Sequence, residues 1–306
     1  MGDRPATWES GPQDPDTRDS GPQAPAVRRR GGDDLGVPDR GVPDRGVWTI
    51  RHFASIDSTN RWLFDEARAG APHGLVAVAD HQAAGRGRRG RTWEAAPGTS
   101  LLASVLLRPT LPADRLQVLT MAAGVALAEA VEATFAVVGA LKWPNDLVVG
   151  DRKLAGLLAE ADLGGDGSVR AVVVGVGCNV TQPSFPSDLA ATATSCAIEA
   201  GAAADGFGGD GARARDRLLD AFLGRLAHHV GALGEVPDAY RARLSTIGRS
   251  VRVDLGNRVV EGIARDVDVS GRLLVDPPIG APLVVSVGDV VHLRALPTPG
   301  EVPGPT

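Results

Sequence analysis

Residues 85–91 carry side chains suited to binding an anion. Four arginines and three glycines occur within these seven positions. Each arginine has a permanent charge and five donors, which are costly to bury unless an anion accepts them. Glycine allows the backbone to wrap closely around a small group. The apolar run at 75–79, which is typical of a strand, leads into this segment. We therefore predict a mobile cationic loop, here called the arginine loop, that binds phosphate or carboxylate.

The arginine loop has two other interpretations. Residues 85–90 match Gly-x-Gly-x-x-Gly, but the dinucleotide fingerprint also needs a helix at the third glycine and an acid about 20 residues later. Pro97 and Gly98 would break that helix and no acid stands at 109–111, so we reject this interpretation. Arginine–glycine runs also bind single-stranded nucleic acid. A net charge of −5 and a single tyrosine argue against that role, which stays open as the non-enzymatic alternative.

Three further segments place small or polar residues at predicted strand ends. Lys142 precedes Trp-Pro-Asn-Asp, where the proline favours a turn; an ordinary turn with a solvated lysine explains this block equally well in isolation. Gly156 lies inside an apolar strand, which indicates close approach by a ligand or another backbone. Residues 172–180 predict a buried strand that contains two glycines and the polar Asn179.

These segments need a framework of strands and helices to position them. Strands are expected on both sides of the arginine loop, at 75–79 and 100–107, and Ser58-Thr-Asn60 favours the start of a helix over 61–68. Asp114 is expected to cap a helix over 115–135, with Gln117 at the capping-box position. Further predicted elements are strands at 140–143, 146–149, 154–161 and 169–176 and a helix at 212–233. The pattern predicts an α+β domain.

The last 60 or so residues have a different pattern. Apolar residues alternate over 251–255, a Gly-Asn turn follows, and short apolar runs occupy 259–267 and 273–275. Alternating short strands separated by turns are typical of a small β-barrel. We therefore expect the chain to end in a β module.

Composition limits the remaining possibilities. With 306 residues and 43% hydrophobic content, the chain can form one large and one small domain. Residues 1–46 are repetitive and poor in apolar residues, so we predict disorder there, and likewise at 298–306. Cys178 and Cys196 are expected to be free thiols in a reducing cytoplasm. There is no run of about 18 apolar residues, so we expect no membrane association.

Together and in this order, the motifs resemble those of the biotin protein ligases. The resemblance spans 47–296 and rests on these motifs: Ser58-Thr-Asn60, Gln82, the arginine loop with Trp93, Lys142-Trp-Pro-Asn-Asp146, Lys153-Leu-Ala-Gly156 and Gly175-Val-Gly-Cys-Asn179. It implies an α+β fold, with a catalytic domain over 47–244 whose mixed sheet is like that of class II aminoacyl-tRNA synthetases. An SH3-like β-barrel is implied over 245–297.

The resemblance also implies the reaction. Biotin is activated by ATP to biotinyl-5′-AMP and is then transferred to one lysine of a biotin carboxyl carrier protein, an acyl-CoA carboxylase subunit. Biotin and ATP are the implied substrates, with Mg²⁺ as cofactor. Some family members carry an N-terminal winged helix that represses biotin synthesis; this chain has only the predicted tail, so we expect no specific DNA binding. A cytoplasmic monomer or weak homodimer is expected.

The roles of individual residues follow from the same resemblance. Lys142 and Arg88 are assigned to catalysis, because fixed cations reduce the repulsion between carboxylate and phosphate. The implied biotin-binding residues are Ser58, Thr59, Asn60, Gln82, Arg86, Gly87, Arg88, Lys142, Leu154, Gly156 and Leu157. The implied ATP- and adenylate-binding residues are Gly85, Arg86, Arg88, Arg91, Trp93, Lys142, Asn145 and Asn179. Asp146 is a candidate metal ligand. A packing role for Trp93 fits nearly as well.

Deletion of residues 1–46 should leave both half-reactions intact, because this segment lacks the apolar residues needed to contribute to a fold. Adenylate formation and biotin transfer would be measured for the truncated and full-length chains, and DNA binding would be compared by gel shift. Specific operator binding by the full-length chain would contradict this prediction.

Overall fold

The computed structural model of the protein describes residues 27–28, 48–201, 207, 210–256, 258–286 and 289–292. The disorder predicted for 1–46 and 298–306 concerns positions outside the described residues, apart from 27–28. There the structure places a two-residue strand, β1 (Val27–Arg28), which pairs antiparallel with β2 (Thr49–Phe53).

The larger sheet is mixed, as expected. After β1 and β2 it contains β3 (Leu75–Ala79), β4 (Ser100–Leu107), β5 (Ala140–Lys142), β6 (Asp146–Val149), β7 (Arg152–Leu163) and β8 (Val169–Asn179). Its order is β1-β2-β3-β4-β8-β7-β6-β5. Strands β2 and β3 are parallel and the other pairs are antiparallel. Strands β3 and β4 match the predicted bounds, because their residues are all buried and are apolar apart from Ser100 and Ser104.

Five α-helices accompany this sheet in the described part of the chain. They are α1 (Thr59–Arg68), α2 (Gln117–Phe135), α3 (Cys196–Glu199), α4 (Gly211–Gly231) and α5 (Val236–Arg243). The Ser58 side chain caps α1 by accepting from the backbone N–H of Arg61. The capping predicted for α2 is wrong: a 3₁₀ turn over Ala113–Arg115 precedes it and Leu116 occupies the N-cap position. The Gln117 side chain instead donates to the Pro144 carbonyl at 3.3 Å. Sequence reasoning missed α3 and α5.

Helix α2 forms the centre of the hydrophobic core. Most of its residues are buried, and α4 and α5 pack against it. The segment Ala113–Phe135 is long and apolar enough to cross a membrane, with a mean hydropathy of 1.5 over its 18-residue window. However, 78% of that window is buried inside the protein. Its apolar surface is therefore covered by neighbouring elements of the same fold.

A second sheet follows α5 and is antiparallel throughout. It contains β9 (Ser250–Asp254), β10 (Val259–Val267), β11 (Leu273–Asp276), β12 (Leu283–Val285) and β13 (Asp289–His292). Its order is β12-β11-β10-β9-β13, so within the described residues the sheet is open rather than closed into a barrel. Alternate residues of β9 and β10 are buried, which explains the alternating sequence pattern.

The second sheet is joined to the first at β5. Leu244 forms a parallel bridge with Leu141, and the Ser245 backbone N–H donates to the Leu141 carbonyl at 2.8 Å. The indole Nε1–H of the buried Trp143 donates to the Gly271 carbonyl at 2.9 Å. Strand β5 and Trp143, the residue that follows it, are therefore both hydrogen-bonded to the part of the chain that leads into and forms the second sheet.

Leu127→Ala should lower the free energy of unfolding by about 2–5 kcal/mol, because it removes a fully buried side chain from α2 and leaves a cavity. Val138→Ala is a matched control, since 68% of that side chain is exposed and its loss should change stability by less than about 0.5 kcal/mol. Urea unfolding of the two variants measures both effects. Equal effects would contradict the central position of α2.

Candidate active site

A cavity of about 330 Å³ lies where the arginine loop meets the larger sheet; we call it the main cavity. The start of α1, the arginine loop, the turn between β5 and β6, and strands β4, β7 and β8 contribute to its wall. Most of the residues implied by the resemblance line it: Ser58, Thr59, Asn60, Gln82, Arg86, Gly87, Arg88, Arg91, Trp93, Lys142, Asn145, Asp146, Gly156 and Leu157. Val290 of β13 also lines the cavity, so positions 58 and 290, which are 232 residues apart in sequence, converge at one site.

Three implied residues do not line the main cavity. Leu154 is fully buried in the hydrophobic core, so its assignment to the biotin tail is corrected. Gly85 closes the base of the arginine loop, where its carbonyl accepts from the Trp93 backbone N–H at 3.0 Å. A Cβ atom on Gly85 would lie 2.3 Å from the Trp93 carbonyl oxygen, which explains the glycine. Asn179 lies at a neighbouring cavity instead.

Buried polar groups form one end of the main cavity. The Thr59 backbone N–H and hydroxyl contact Gln82 Oε1 at 2.8 and 3.0 Å. The same hydroxyl lies 2.7 Å from Ser104 Oγ, which donates to Asn60 Oδ1 at 2.6 Å. Thr59, Asn60 and Ser104 are all at least 95% buried. This end can therefore recognise a small polar ring by hydrogen bonds that water does not weaken.

The arginines of the loop have partners within the protein. Arg86 forms a two-point ion pair with Glu160, at 2.8 and 3.2 Å. Arg88 donates to Asn145 Oδ1 at 3.2 Å, and Arg89 donates to the Asp254 carbonyl at 3.3 Å. Each contact reaches a different element of the fold. The acceptor for Arg86 is thus a carboxylate of the protein itself.

Trp93 lies on a part of the sheet that has no side chains. A Cβ atom on Gly177 would be 2.5 Å from the indole, and one on Gly156 would be 3.2 Å from it. These two glycines are paired across β7 and β8. Lys153 Nζ lies 5.5 Å from the centre of the Trp93 ring and 2.8 Å from Asp146 Oδ1. The close approach predicted at Gly156 is therefore made by side chains of this chain.

A second cavity of about 660 Å³ adjoins the main cavity and shares Thr92, Trp93 and Lys153 with it. Its other wall is the segment that follows β8, including Phe185 and Leu189. Asn179 contributes here, with its Nδ2 donating to the Thr194 carbonyl at 2.9 Å. Trp93 and Lys153 thus mark the junction between a polar pocket and a more apolar one.

Lys142 lies on the side of the main cavity nearest the second sheet. The Trp143 backbone N–H donates to the buried Thr246 hydroxyl at 3.0 Å, and that hydroxyl lies 3.1 Å from His292 Nε2. Burial lowers the pKa of His292 to about 4, with further lowering by the nearby cations of Lys142 and Arg249. His292 is consequently neutral at physiological pH.

Two family models match the chain. The model described as "Biotin/lipoate A/B protein ligase family" matches residues 52–179, and the model described as "Biotin protein ligase C terminal domain" matches residues 246–293. The first range includes the arginine loop, both cavity lysines and Asn179. The second range includes all five strands of the second sheet.

A curated relative decides the family. Biotin--[acetyl-CoA-carboxylase] ligase of Mycobacterium tuberculosis is 42% identical over 247 residues, which cover 79% of this chain and 88% of the relative. The chain belongs to the biotin protein ligase family. The ligase is also 33% identical over 227 residues to the bifunctional ligase/repressor BirA of Escherichia coli, covering 72% of this chain and 67% of that relative.

A solved structure extends the comparison to three dimensions. Biotin protein ligase from Aquifex aeolicus, in complex with biotin and ATP, is similar with a TM-score of 0.65 and 26% identity. The similarity covers 80% of this ligase and 99% of that chain. The fold described above is thus the fold of the family.

Several residues at the main cavity were absent from the predicted set, and three of them have polar or charged side chains that form hydrogen bonds or ion pairs. Ser104 and Lys153 line the main cavity, and Glu160 lies behind it as the partner of Arg86. Lys153 was detectable, because the chain contains only two lysines, Lys142 and Lys153, and both lie in the motifs that carry the resemblance. Ser104 and Glu160 lie within strands, and nothing in the neighbouring sequence indicates which residues they contact.

The stability of the ligase should depend on pH through His292. Its pKa is near 4 in the folded protein and near 6.5 when unfolded, so the unfolded chain binds an extra proton between these values. The unfolding free energy is therefore not reduced by His292 above about pH 6.5, and it decreases as the pH falls towards 4. His292→Gln keeps an acceptor for Thr246 but cannot titrate. Its unfolding free energy should therefore fall less than that of the parent between pH 7 and 4.5, and parallel profiles would contradict this assignment.

Proposed function

We propose that this ligase activates biotin with ATP and transfers it to a lysine of a biotin carboxyl carrier protein, using the two adjoining cavities for the two parts of biotinyl-5′-AMP. The observation that carries this proposal is the junction at Trp93 and Lys153, where a pocket with buried polar groups opens into a larger one. Membership of the family and similarity to the ligase solved with biotin and ATP support it.

The chemistry requires charge stabilisation at that junction. A carboxylate oxygen of biotin attacks the α-phosphorus of ATP, and pyrophosphate leaves. The neutral amine of the acceptor lysine then attacks the acyl carbon, and AMP leaves with the bonding electrons while the amine loses its proton. The first step brings anionic oxygens together, and the second builds negative charge on the acyl oxygen and on the departing phosphate oxygen, so preorganised cations lower both barriers.

Biotin occupies the main cavity in this proposal. The ureido ring lies against Ser58, Thr59, Asn60 and Gln82, whose polar atoms are buried or half-buried. Gly156 and Leu157 lie beside the rest of the molecule, and Arg86 and Gly87 cover it from the loop. Leu154 has no part in this site, because its side chain is in the core.

The adenylate part occupies the second cavity. Trp93 offers an aromatic surface at its entrance, and Asn179 lies within it. Arg91 and Arg88 line the main cavity on the side of the loop and supply cations for phosphate oxygens. Asn145 orients Arg88 through their hydrogen bond. Gly85 does not contact the adenylate in this proposal. It allows the two ends of the arginine loop to approach closely beside Trp93.

Lys153 takes the larger catalytic role in our proposal, and Lys142 the smaller one, together with Arg88. Both lysines line the main cavity, but only Lys153 of the two also lines the second cavity. A cation at this junction can contact the biotin carboxylate and the α-phosphate at once. Lys142 lies nearer the second sheet. The assignment based on resemblance favoured Lys142, so alanine variants of the two lysines should differ in their rates of pyrophosphate exchange.

Mg²⁺ is proposed to enter with ATP. The described residues contain no group of three or more histidine, cysteine, aspartate or glutamate side chains that could hold a metal. This fits a cation held mainly by phosphate oxygens and one or two carboxylates, as is usual for Mg²⁺. Among the described residues, Asp146 is the carboxylate that lines the main cavity. It would have to bind Mg²⁺ while it is also paired with Lys153.

We infer a catalytic domain over 47–244 with the class II synthetase-like arrangement, and a separate C-terminal module over 245–297 built on the open second sheet. We also infer a cytoplasmic monomer or weak homodimer without specific DNA binding. The two buried free cysteines support a reducing compartment.

Biotin-dependent exchange of pyrophosphate into ATP tests the function. Exchange that requires both biotin and ATP supports adenylation, and labelling of a carrier domain then tests transfer. No exchange, together with salt-sensitive binding of oligonucleotides, would favour the nucleic-acid alternative.

Lys153→Ala should slow exchange about a hundredfold or more, since one preorganised charged group contributes on the order of 3 kcal/mol to the transition state. Lys142→Ala should slow it by about tenfold, or about 1.4 kcal/mol. Melting curves should show that both variants fold, with stability within about 1 kcal/mol of the parent. A larger loss for Lys142→Ala would reverse the assignment.

A further inference from the structure

A chain of polar side chains connects one end of the main cavity to the arginine loop. Each step in it is a hydrogen bond of 3.2 Å or less. In order, its members are Gln82, Thr59, Ser104, Asn60, Glu160 and Arg86. Glu160 is the charged acceptor in this chain and lies outside the cavity wall, so it acts on the cavity only through its neighbours.

Glu160 fixes the orientation of the Asn60 amide. A carboxylate and a backbone carbonyl can only accept, so the Asn60 atom that faces both must be the NH₂ group. This nitrogen lies 2.9 Å from Glu160 Oε2 and 3.2 Å from the Leu158 carbonyl oxygen. The amide oxygen therefore faces Ser104, and the Ser104 hydroxyl must donate to it at 2.6 Å.

This orientation determines what the cavity offers to a ligand. Ser104 has one hydroxyl proton, which Asn60 takes, so its oxygen presents only lone pairs elsewhere. The Thr59 backbone N–H donates to Gln82 Oε1, which leaves the Gln82 NH₂ group as a donor. Acceptors at Ser104 and Thr59 beside a donor at Gln82 complement a cyclic urea, which has two N–H groups and one carbonyl.

Gly175 provides the space for this arrangement. In the sheet register it lies between Ser104 of β4 and Leu158 of β7. A Cβ atom on Gly175 would lie 2.2 Å from Asn60 Oδ1, so a side chain there would displace the amide. Asn60 is thus held over the glycine by Ser104 on one side and by Leu158 and Glu160 on the other.

We propose that Glu160 is a positioning residue that sets the hydrogen-bond pattern of the biotin site, and that its ion pair with Arg86 couples this pattern to the arginine loop. The inference rests on the proposed function, because it assumes that biotin occupies the main cavity. It adds a determinant of specificity for the ureido ring. Arg86 and Asn60 share the same carboxylate, so displacement of the loop removes one partner that holds this carboxylate in place.

The test uses Glu160→Gln, which keeps the side-chain shape but removes the charge and can donate as well as accept. The Leu158 carbonyl is then the one remaining group that can only accept from the Asn60 amide, so reversal of that amide costs less and Ser104 depends less strictly on a donor from the ligand. The Kd for biotin, measured by calorimetry, should rise about tenfold, equivalent to about 1.4 kcal/mol. The ratio between the Kd of biotin methylated at a ureido nitrogen and that of biotin should fall about fivefold or more. The KM for ATP should change less than about twofold.

Asp162→Asn is the matched control. Asp162 is on the same strand and is also largely buried, but it pairs with Arg170 at 3.0 Å and is not part of the chain. Both Kd values should match those of the parent. Gly175→Ala is the second variant, because it displaces Asn60 without changing any charge, and it should reduce the discrimination in the same way. It also replaces Glu160→Gln if a melting curve shows that the latter is unfolded.

Two outcomes would overturn the inference. One is a folded Glu160→Gln variant with the Kd and the ratio of the parent. The other is equal weakening of biotin and methylated biotin in both variants, which would indicate a general loss of the site. A parent protein that does not bind biotin would instead overturn the proposed function.

Discussion

The site depends on a strip of the larger sheet that has no side chains. Gly175 and Gly177 of β8 and Gly156 of β7 leave room that Asn60 and Trp93 fill from above. Added Cβ atoms on the two β8 glycines would come within 2.5 Å of those side chains. A glycine inside a strand weakens it, and here the neighbouring strand residues are buried and apolar, which offsets that cost. The strip thus allows a polar pocket to form directly on a hydrophobic sheet.

The arginine loop is held over this strip by contacts with three different elements. Arg86 reaches Glu160 on β7, Arg88 reaches Asn145 in the turn between β5 and β6, and Arg89 reaches Asp254 at the end of β9 in the second sheet. Arg86 is about half exposed, and Asp254 more so. Ion pairs of this exposure contribute only about 0–1 kcal/mol each. The loop is therefore defined in position but only weakly fixed, which suits a segment that must admit and release substrates.

The sequence predicted the framework better than the details of the site. The mostly apolar runs of β3 and β4 located those strands, and the motifs located most of the cavity wall. Leu154 was assigned to the site from its motif, but it is buried in the core, and apolar character alone does not tell which residues of β7 face a ligand. The contact between Glu160 and Arg86 joins residues 74 positions apart. Such a pairing follows from sheet order and register, which no local pattern specifies.

The chain has only two lysines, and both line the main cavity. This limits the amines on the ligase that its own product, the biotinyl adenylate, can acylate. A mixed anhydride that escapes into solution acylates whatever primary amines it meets. The outer surface of this protein offers it none from lysine, because the other cationic side chains are arginines, whose guanidinium groups stay protonated. Self-labelling is then confined to the chain terminus and to the two cavity amines. For the same reason, an amine-directed reagent applied to the folded protein reports the accessibility of the main cavity almost without background.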